Sequence, residues 1–204
     1  MSASVRKAAG LVAAVALLAV VVVGCGEDGN PSNGGGSYTY TGGTVEIGGL
    51  MWMAENLNRA TSNSWCYNNA DSNCVKYGRL YTWEAAMTAC PSGWRLPDTA
   101  DWNKLVTAAG GRSIAGSKLK STSGWNDRAD GSSGNGTDEF GFSALPGGSR
   151  NTYGTFDFAG NRGTWWSATE IRSGYAYSRY VGYYDSVGEL YDDKGFGFSA
   201  RCVR

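Results

Sequence analysis

The sequence contains no histidine. That excludes every mechanism needing imidazole as general base or zinc ligand, including Ser-His-Asp and Cys-His arrangements and HExxH sites. Proline is scarce, at 4 residues, and charge is sparse and balanced, with Lys+Arg 18 against Asp+Glu 18 in 204 residues. No run of basic residues exists beyond Arg6-Lys7. This excludes a stripe that could displace counterions along a phosphate backbone, and with it a nucleic-acid partner. The one long apolar run, residues 8–23, is shorter than the ~20 residues a helix needs to span a bilayer. What is abundant is glycine, at 31, and aromatics, with Trp 8, Tyr 12 and Phe 6. Such a chain forms short strands joined by many turns, with a thick aromatic core or an aromatic binding face. The length suits one domain with appendages.

Arg6 and Lys7, the apolar run and a small residue before Cys25 are the parts of a secretory signal over residues 1–24. The segment Val22-Val23-Gly24-Cys25 resembles a bacterial lipobox, with Val22 where Leu is usual. The resemblance implies that Cys25 is lipidated by diacylglycerol and an acyl chain such as palmitate, each buried CH₂ contributing ~0.8 kcal/mol to membrane attachment. Gly26 in place of Asp points to the outer membrane or cell surface; an uncleaved transmembrane anchor is the alternative, and either attaches the chain to a membrane. Residues 25–37 are polar and Gly-rich and read as a tether, leaving a folded domain over residues 38–204.

With Cys25 lipidated, Cys66, Cys74, Cys90 and Cys202 remain, an even number in an exported chain. Three pairings exist. The short spacing favours Cys66–Cys74, which leaves Cys90–Cys202 to tie the end of a helix to the last strand. Four reduced thiols are the alternative; zinc is disfavoured because no CxxC pair is present.

Thr44-Val45-Glu46-Ile47, Gly48-Gly49 and Leu50-Met51-Trp52 predict a hairpin with a two-residue turn. Trp83, Ala86, Met87 and Cys90 predict the inner face of a short helix capped by Thr82 and stopped by Pro91. Trp102, Leu105, Val106 and Ala109 predict a second helix ending at Gly110-Gly111. Residues 111–139 read as loop. Strands are predicted over residues 140–145, 163–168, 175–181, 187–191 and 196–203, the last with Phe196, Phe198, Ala200 and Cys202 on one face. The echo of Gly141-Phe142-Ser143-Ala144 in Gly197-Phe198-Ser199-Ala200 suggests neighbouring strands. Strands with helices segregated to one region make an α+β fold.

The blocks GLMWMAENLN, YGRLYTWEAAMTACPSGWRLPDTADWNKL, LKSTSGW, GTDEFGFSALPGG, GTWWSATE and GFSARCVR follow in this order. In them the chain resembles the Fibrobacter succinogenes major paralogous domain, a module of exported proteins, over residues 49–204. The element order also resembles the C-type lectin-like fold, which implies a disulfide from the first helix to the final strand, as Cys90 and Cys202 would provide. Gly147-Gly148-Ser149 and GFSARCVR are similar to motifs of the formylglycine-generating branch of that fold. Cys66 and Cys74 do not match its active-site cysteines in placement, so its oxidase chemistry does not carry over.

Trp125-Asn126-Asp127 copies the WND triplet of calcium-dependent lectins but stands before the main run of late strands. Asp127, Asp130, Asn135, Asp138 and Glu139 still place several oxygen donors in one Gly-rich loop, of the kind a Ca²⁺ cofactor takes. A solvated acidic loop is the competing reading. For a ligand face the candidates are Trp125, Trp166, Tyr175, Tyr177, Tyr183, Tyr184 and Tyr191, flat rings that suit sugars or a surface protein and that also serve as half-buried sheet residues. Of the adjacent Trp165 and Trp166, one faces the core and the other covers a surface or packs on a loop. A hydrolase would need two carboxylates ~5–9.5 Å apart across a cleft, drawn from Glu55, Glu84, Asp98, Glu139, Glu170, Asp192 and Asp193. The expected function is a surface-anchored binding or adhesion module for a glycan or a surface protein. A polysaccharide hydrolase and a structural envelope component are the alternatives.

Overall fold

A computed structural model describes residues 38–182 and 184–204. The expected signal segment, Cys25 and the expected tether lie outside the described residues, as does Tyr183. The chain opens with the hairpin β1 (Thr44–Ile47) and β2 (Leu50–Met53). Gly48 and Gly49 take φ of 64° and 74°, the two left-handed positions a type I′ turn demands. Then follow β3 (Ser64–Trp65), α1 (Asp71–Tyr77), β4 (Leu80–Tyr81), α2 (Trp83–Ala89), α3 (Thr99–Ala108) and α4 (Ala115–Leu119). The remainder is β5 (Ser149–Arg150), β6 (Phe156–Asp157), β7 (Arg162–Arg172), β8 (Tyr175–Gly182), β9 (Val187–Asp193) and β10 (Phe198–Ser199). The architecture is α+β.

The main sheet has the order β3-β4-β10-β7-β8-β9. The pairs β7–β8 and β8–β9 are antiparallel, whereas β10 runs parallel to β7. Trp165 and Trp166 sit next to each other on β7, so their side chains leave opposite faces of the sheet. Trp165 joins Trp52, Trp102, Leu105 and Phe142 in one buried cluster, with α3. Trp166 joins Tyr81, Ala86, Ala89 and Phe198 in the other, with α2. Neither tryptophan covers an outer surface. Fully burying one large side chain contributes ~1.5–3 kcal/mol, which makes these two clusters the main source of stability.

Thr82 caps α2, its hydroxyl accepting from the Ala85 N–H at 3.3 Å. Asp98 and Asp101 form a reciprocal capping box on α3. Burial works against the Asp101 carboxylate, but hydrogen bonds from Arg95 and the Asp98 N–H outweigh it and hold its pKa below the usual value. The inner face of α2 differs from the expected one. Ala85, Ala86 and Ala89 are buried and Met87 is exposed, because small residues let α2 approach Trp166 and the disulfide closely.

Both expected disulfides are present, Cys66–Cys74 and Cys90–Cys202, with Cα–Cα separations of 4.8 and 5.9 Å. The second ties the C-cap of α2 to the end of the chain. There Phe198, Ala200 and Cys202 share one cluster. Only Phe198–Ser199 is a named strand, although the chain stays extended to its end through bonds such as Met53 N–H to Cys202 O and Leu57 N–H to Ala200 O. Residues 140–145 form no strand. The Asp138 carboxylate captures the Ser143 N–H at 2.6 Å and its hydroxyl at 2.5 Å, folding the segment into a turn with Asp138 and Ser143 at positive φ. The two GFSA copies consequently fall in different clusters and do not pair. α1 and α4, each under eight residues, were not expected.

Arg201, wholly buried, crosses the centre of the molecule. It donates to the Phe142 carbonyl and, through Nε and Nη2, to Asn56 Oδ1 at 3.1 and 2.8 Å. Asn56 Oδ1 also accepts from Trp165 Nε1 at 2.8 Å. Burial lowers the Arg201 pKa to about 9, so it stays charged at neutral pH and needs these acceptors.

Candidate functional site

The start of β7 and the end of β8 form the floor of a cleft. Arg162 pairs with Gly182, and Thr164 with Tyr180, so Arg162 and Tyr180 stand on the same face. Tyr180 also lies opposite Gly188 of β9. A Cβ on Gly188 would overlap the Tyr180 ring, so this glycine gives the tyrosine room to lie down across β9. The Arg162 guanidinium rests on that ring, 4.0 Å from its centroid. Burial lowers its pKa, and its Nε is buried without a hydrogen-bond partner among the described residues.

One wall is the turn before β7. Phe158 adopts φ 69°, a left-handed backbone that a bulky side chain adopts at a cost of ~1–3 kcal/mol. The N–H groups of Asn161 and Arg162 both donate to its carbonyl at 3.0 Å. The result is a phenyl ring 55% exposed at the mouth of the cleft. The facing wall comes from the loop after α4. Asn126 N–H donates to Gly160 O at 2.8 Å, and Asn126 Nδ2 to Asn161 Oδ1 at 3.1 Å, which pins this loop beside the turn. Asp127 and Ala129 thereby line the cleft. Arg128 pairs with Asp185 at 2.6 Å, next to Tyr184, which is 66% exposed. The open cleft has a volume of about 560 Å³ and is lined by Asp127, Ala129, Phe158, Asn161, Arg162, Tyr180, Gly182 and Tyr184. Aromatic walls with a few converging polar groups are the usual makings of a small-ligand site.

The root of the loop is Lys120, fully buried. Its Nζ donates to Gly134 O at 2.6 Å and lies 5.2 Å from the Trp125 ring centroid. Trp125 itself is buried, with Nε1 donating to Ser121 Oγ and Ala144 O. At 5% exposure it holds the root of the loop and presents no open ring face, so its expected role as a ligand contact is corrected. Trp166 is corrected likewise: it is 0% exposed and donates to Tyr81 O.

The tyrosines divide between two faces. Tyr184 borders the cleft, whereas Tyr175 and Tyr177 point to the face of β8 opposite Tyr180. There Tyr177 stands beside the exposed Tyr191 across the strands, and Tyr175 lies under Arg172. This second patch is separate from the cleft.

The four acidic residues expected around Ca²⁺ do not converge. Asp130 accepts from the Ser132 N–H and hydroxyl, Asp138 from Ser143, and Glu139 pairs with Lys118 at 2.9 Å. Asp127 lines the cleft. Among the described residues no three His, Cys, Asp or Glu gather to hold a metal ion. The oxygens of Asp130 and Asp138 build turns in their own loop instead. Most of the carboxylates considered for hydrolysis are engaged locally, although Glu170 and Asp192 flank Ala176 on one face of the sheet. Asp98 caps α3, Glu170 pairs with Lys194 at 3.0 Å, and Asp193 accepts from the Gly195 N–H. Burial pushes the Asp192 pKa up while Ser178 donates to it at 2.6 Å. Glu84 lies in the first turn of α2, and Glu55 borders a separate small pocket near Tyr77.

Phe158, Asn161 and Arg162 were not expected at a site. Their one signal in sequence is an aromatic set among turn formers, Asp157-Phe158-Ala159-Gly160-Asn161. Among the described residues no helix is long and apolar enough to cross a membrane. The family model described as Fibrobacter succinogenes major domain matches residues 45–204. No curated protein and no solved structure matches the chain.

Proposed function

The chain belongs to the Fibrobacter succinogenes major domain family, and from that premise we propose that it is a binding module whose cleft takes a saccharide. Phe158 carries the reading. An exposed aromatic held in a costly left-handed backbone at the mouth of a cleft is placed for contact. With Tyr184 and Tyr180 it offers flat apolar surfaces for the C–H faces of a sugar ring. Asn161, Asp127 and Arg162 offer donors and acceptors for its hydroxyls.

We read the fold as C-type lectin-like. The reading is supported by the Cys90–Cys202 bond from the end of α2 to the chain end and by the long irregular loops that carry the cleft walls. The module would act from the bacterial outer membrane or cell surface, held by lipid on Cys25.

Calorimetric titration of the full chain in detergent with a panel of oligosaccharides tests the proposal. Tyr184→Ala and Phe158→Ala each weaken binding about three- to tenfold, whereas Tyr191→Ala, on the other face, leaves it unchanged. The absence of any oligosaccharide binding, or binding indifferent to both cleft substitutions, overturns it.

A further inference from the structure

The cleft contains one feature that a neutral sugar would leave uncompensated. Among the described residues no carboxylate forms an ion pair with Arg162. Asp192, on the same face of the sheet, acts on it through its field without pairing and is itself held by the Ser178 hydroxyl. The direct partner of Arg162 is the ring face of Tyr180 at 4.0 Å, and its buried Nε makes no hydrogen bond among the described residues. The other cation nearby, Arg128, is already paired with Asp185. A partly desolvated guanidinium is costly unless a counter-charge reaches it, and its planar fork of donors matches a carboxylate better than any single hydroxyl. Asp127 also lines the cleft. A carboxylate there repels an anion at close range but accepts from hydroxyls.

We infer that the sugar unit seated in this cleft carries a carboxylate, gripped by Arg162, while a hydroxyl of the same or the next sugar donates to Asp127. The inference rests on the saccharide reading above and narrows it to uronate- or nonulosonate-type units. The two opposite charges give the ligand a direction: acid end toward β7, hydroxyl end toward the loop. Tyr180 acts as the platform that keeps the guanidinium in plane.

Calorimetry with the full chain tests this on two matched pairs: trigalacturonate against its carboxyl-reduced trisaccharide, and N-acetylneuraminyl-lactose against lactose. In at least one pair the acidic member binds about ten- to a hundredfold tighter, and which pair responds distinguishes the source of the carboxylate. Arg162→Gln brings that ratio close to one while neutral binding persists. Asp127→Asn, an exposed change that does not threaten folding, raises acidic affinity severalfold and keeps the ratio above that of the parent chain. Equal affinity within both pairs overturns the inference and leaves the saccharide reading standing. A ratio that survives in folded Arg162→Gln, or one that fails to rise in Asp127→Asn, overturns it too. If no member of either pair binds, the inference falls, and it takes the saccharide reading with it only if the wider panel is also silent.

Discussion

Replacing Lys120 by Met removes a buried ammonium from the root of the loop that carries Asp127. Burial is the main reason its pKa falls from 10.5 to about 8; the charge of Arg128 adds to the fall and Asp185 opposes it. The folded chain therefore holds this proton less tightly than the unfolded chain. Between pH 8 and 10.5 the unfolded state binds more protons, so stability rises with pH across that window. Below about pH 8 the cost of the buried charge is fully present. A separation of this size corresponds to at most ~3 kcal/mol. Urea unfolding of both chains at several pH values from 7 to 10.5 reads the effect. Wild type gains stability relative to Lys120→Met as pH rises through the window, by up to ~3 kcal/mol. Burial raises the Tyr81 phenol, which opposes the gain above its ordinary pKa, but this contribution is common to both chains and cancels in the difference. Parallel curves for the two chains would refute the reasoning, because they would mean the ammonium is as well solvated folded as unfolded.

The two disulfides differ in the length of chain they close, with separations of 112 and 8 residues. In the chain-entropy account Cys90→Ala/Cys202→Ala costs ~4–5 kcal/mol and Cys66→Ala/Cys74→Ala ~2–3; denaturant midpoints in the reverse order would contradict this. Phe158→Gly relieves the left-handed backbone, and the expected result is an unchanged or slightly raised Tm, by up to ~1 kcal/mol in stability, together with weakened oligosaccharide binding. A fall in both would mean that Phe158 is a packing residue. Gly188→Val pushes the Tyr180 ring off β9 and takes the platform from beneath Arg162. It costs ~1–3 kcal/mol and reduces binding more than the same substitution at the exposed Gly174, checked by calorimetry beside thermal melts.

The sequence exposes most clearly those features fixed by neighbours along the chain. Gly48-Gly49 announces its turn, Asp98 with Trp102 and Leu105 announces α3, and the adjacency of Trp165 and Trp166 guarantees that they enter different layers. Side-chain capture of backbone is harder to read. Asp138 turns residues 140–145 away from a strand, and no periodicity signals it. The alanine face of α2 was hidden for another reason: Met87 is the more apolar residue, but only alanine fits beside Trp166. The cleft was least legible, since it depends on strand register. Arg162 meets Tyr180 only because Thr164 pairs with Tyr180, and Tyr180 lies down only because Gly188 stands opposite.

The account rests on the cleft between Phe158 and Tyr184 being where a sugar binds. NMR of the isotope-labelled full chain in detergent, titrated with the tightest oligosaccharide of the panel, tests that most directly. Resonances of Phe158, Asn161, Arg162, Tyr180 and Tyr184 should shift together along one saturation curve. Shifts centred instead on Tyr177 and Tyr191, or a spectrum unmoved at the cleft, would contradict it.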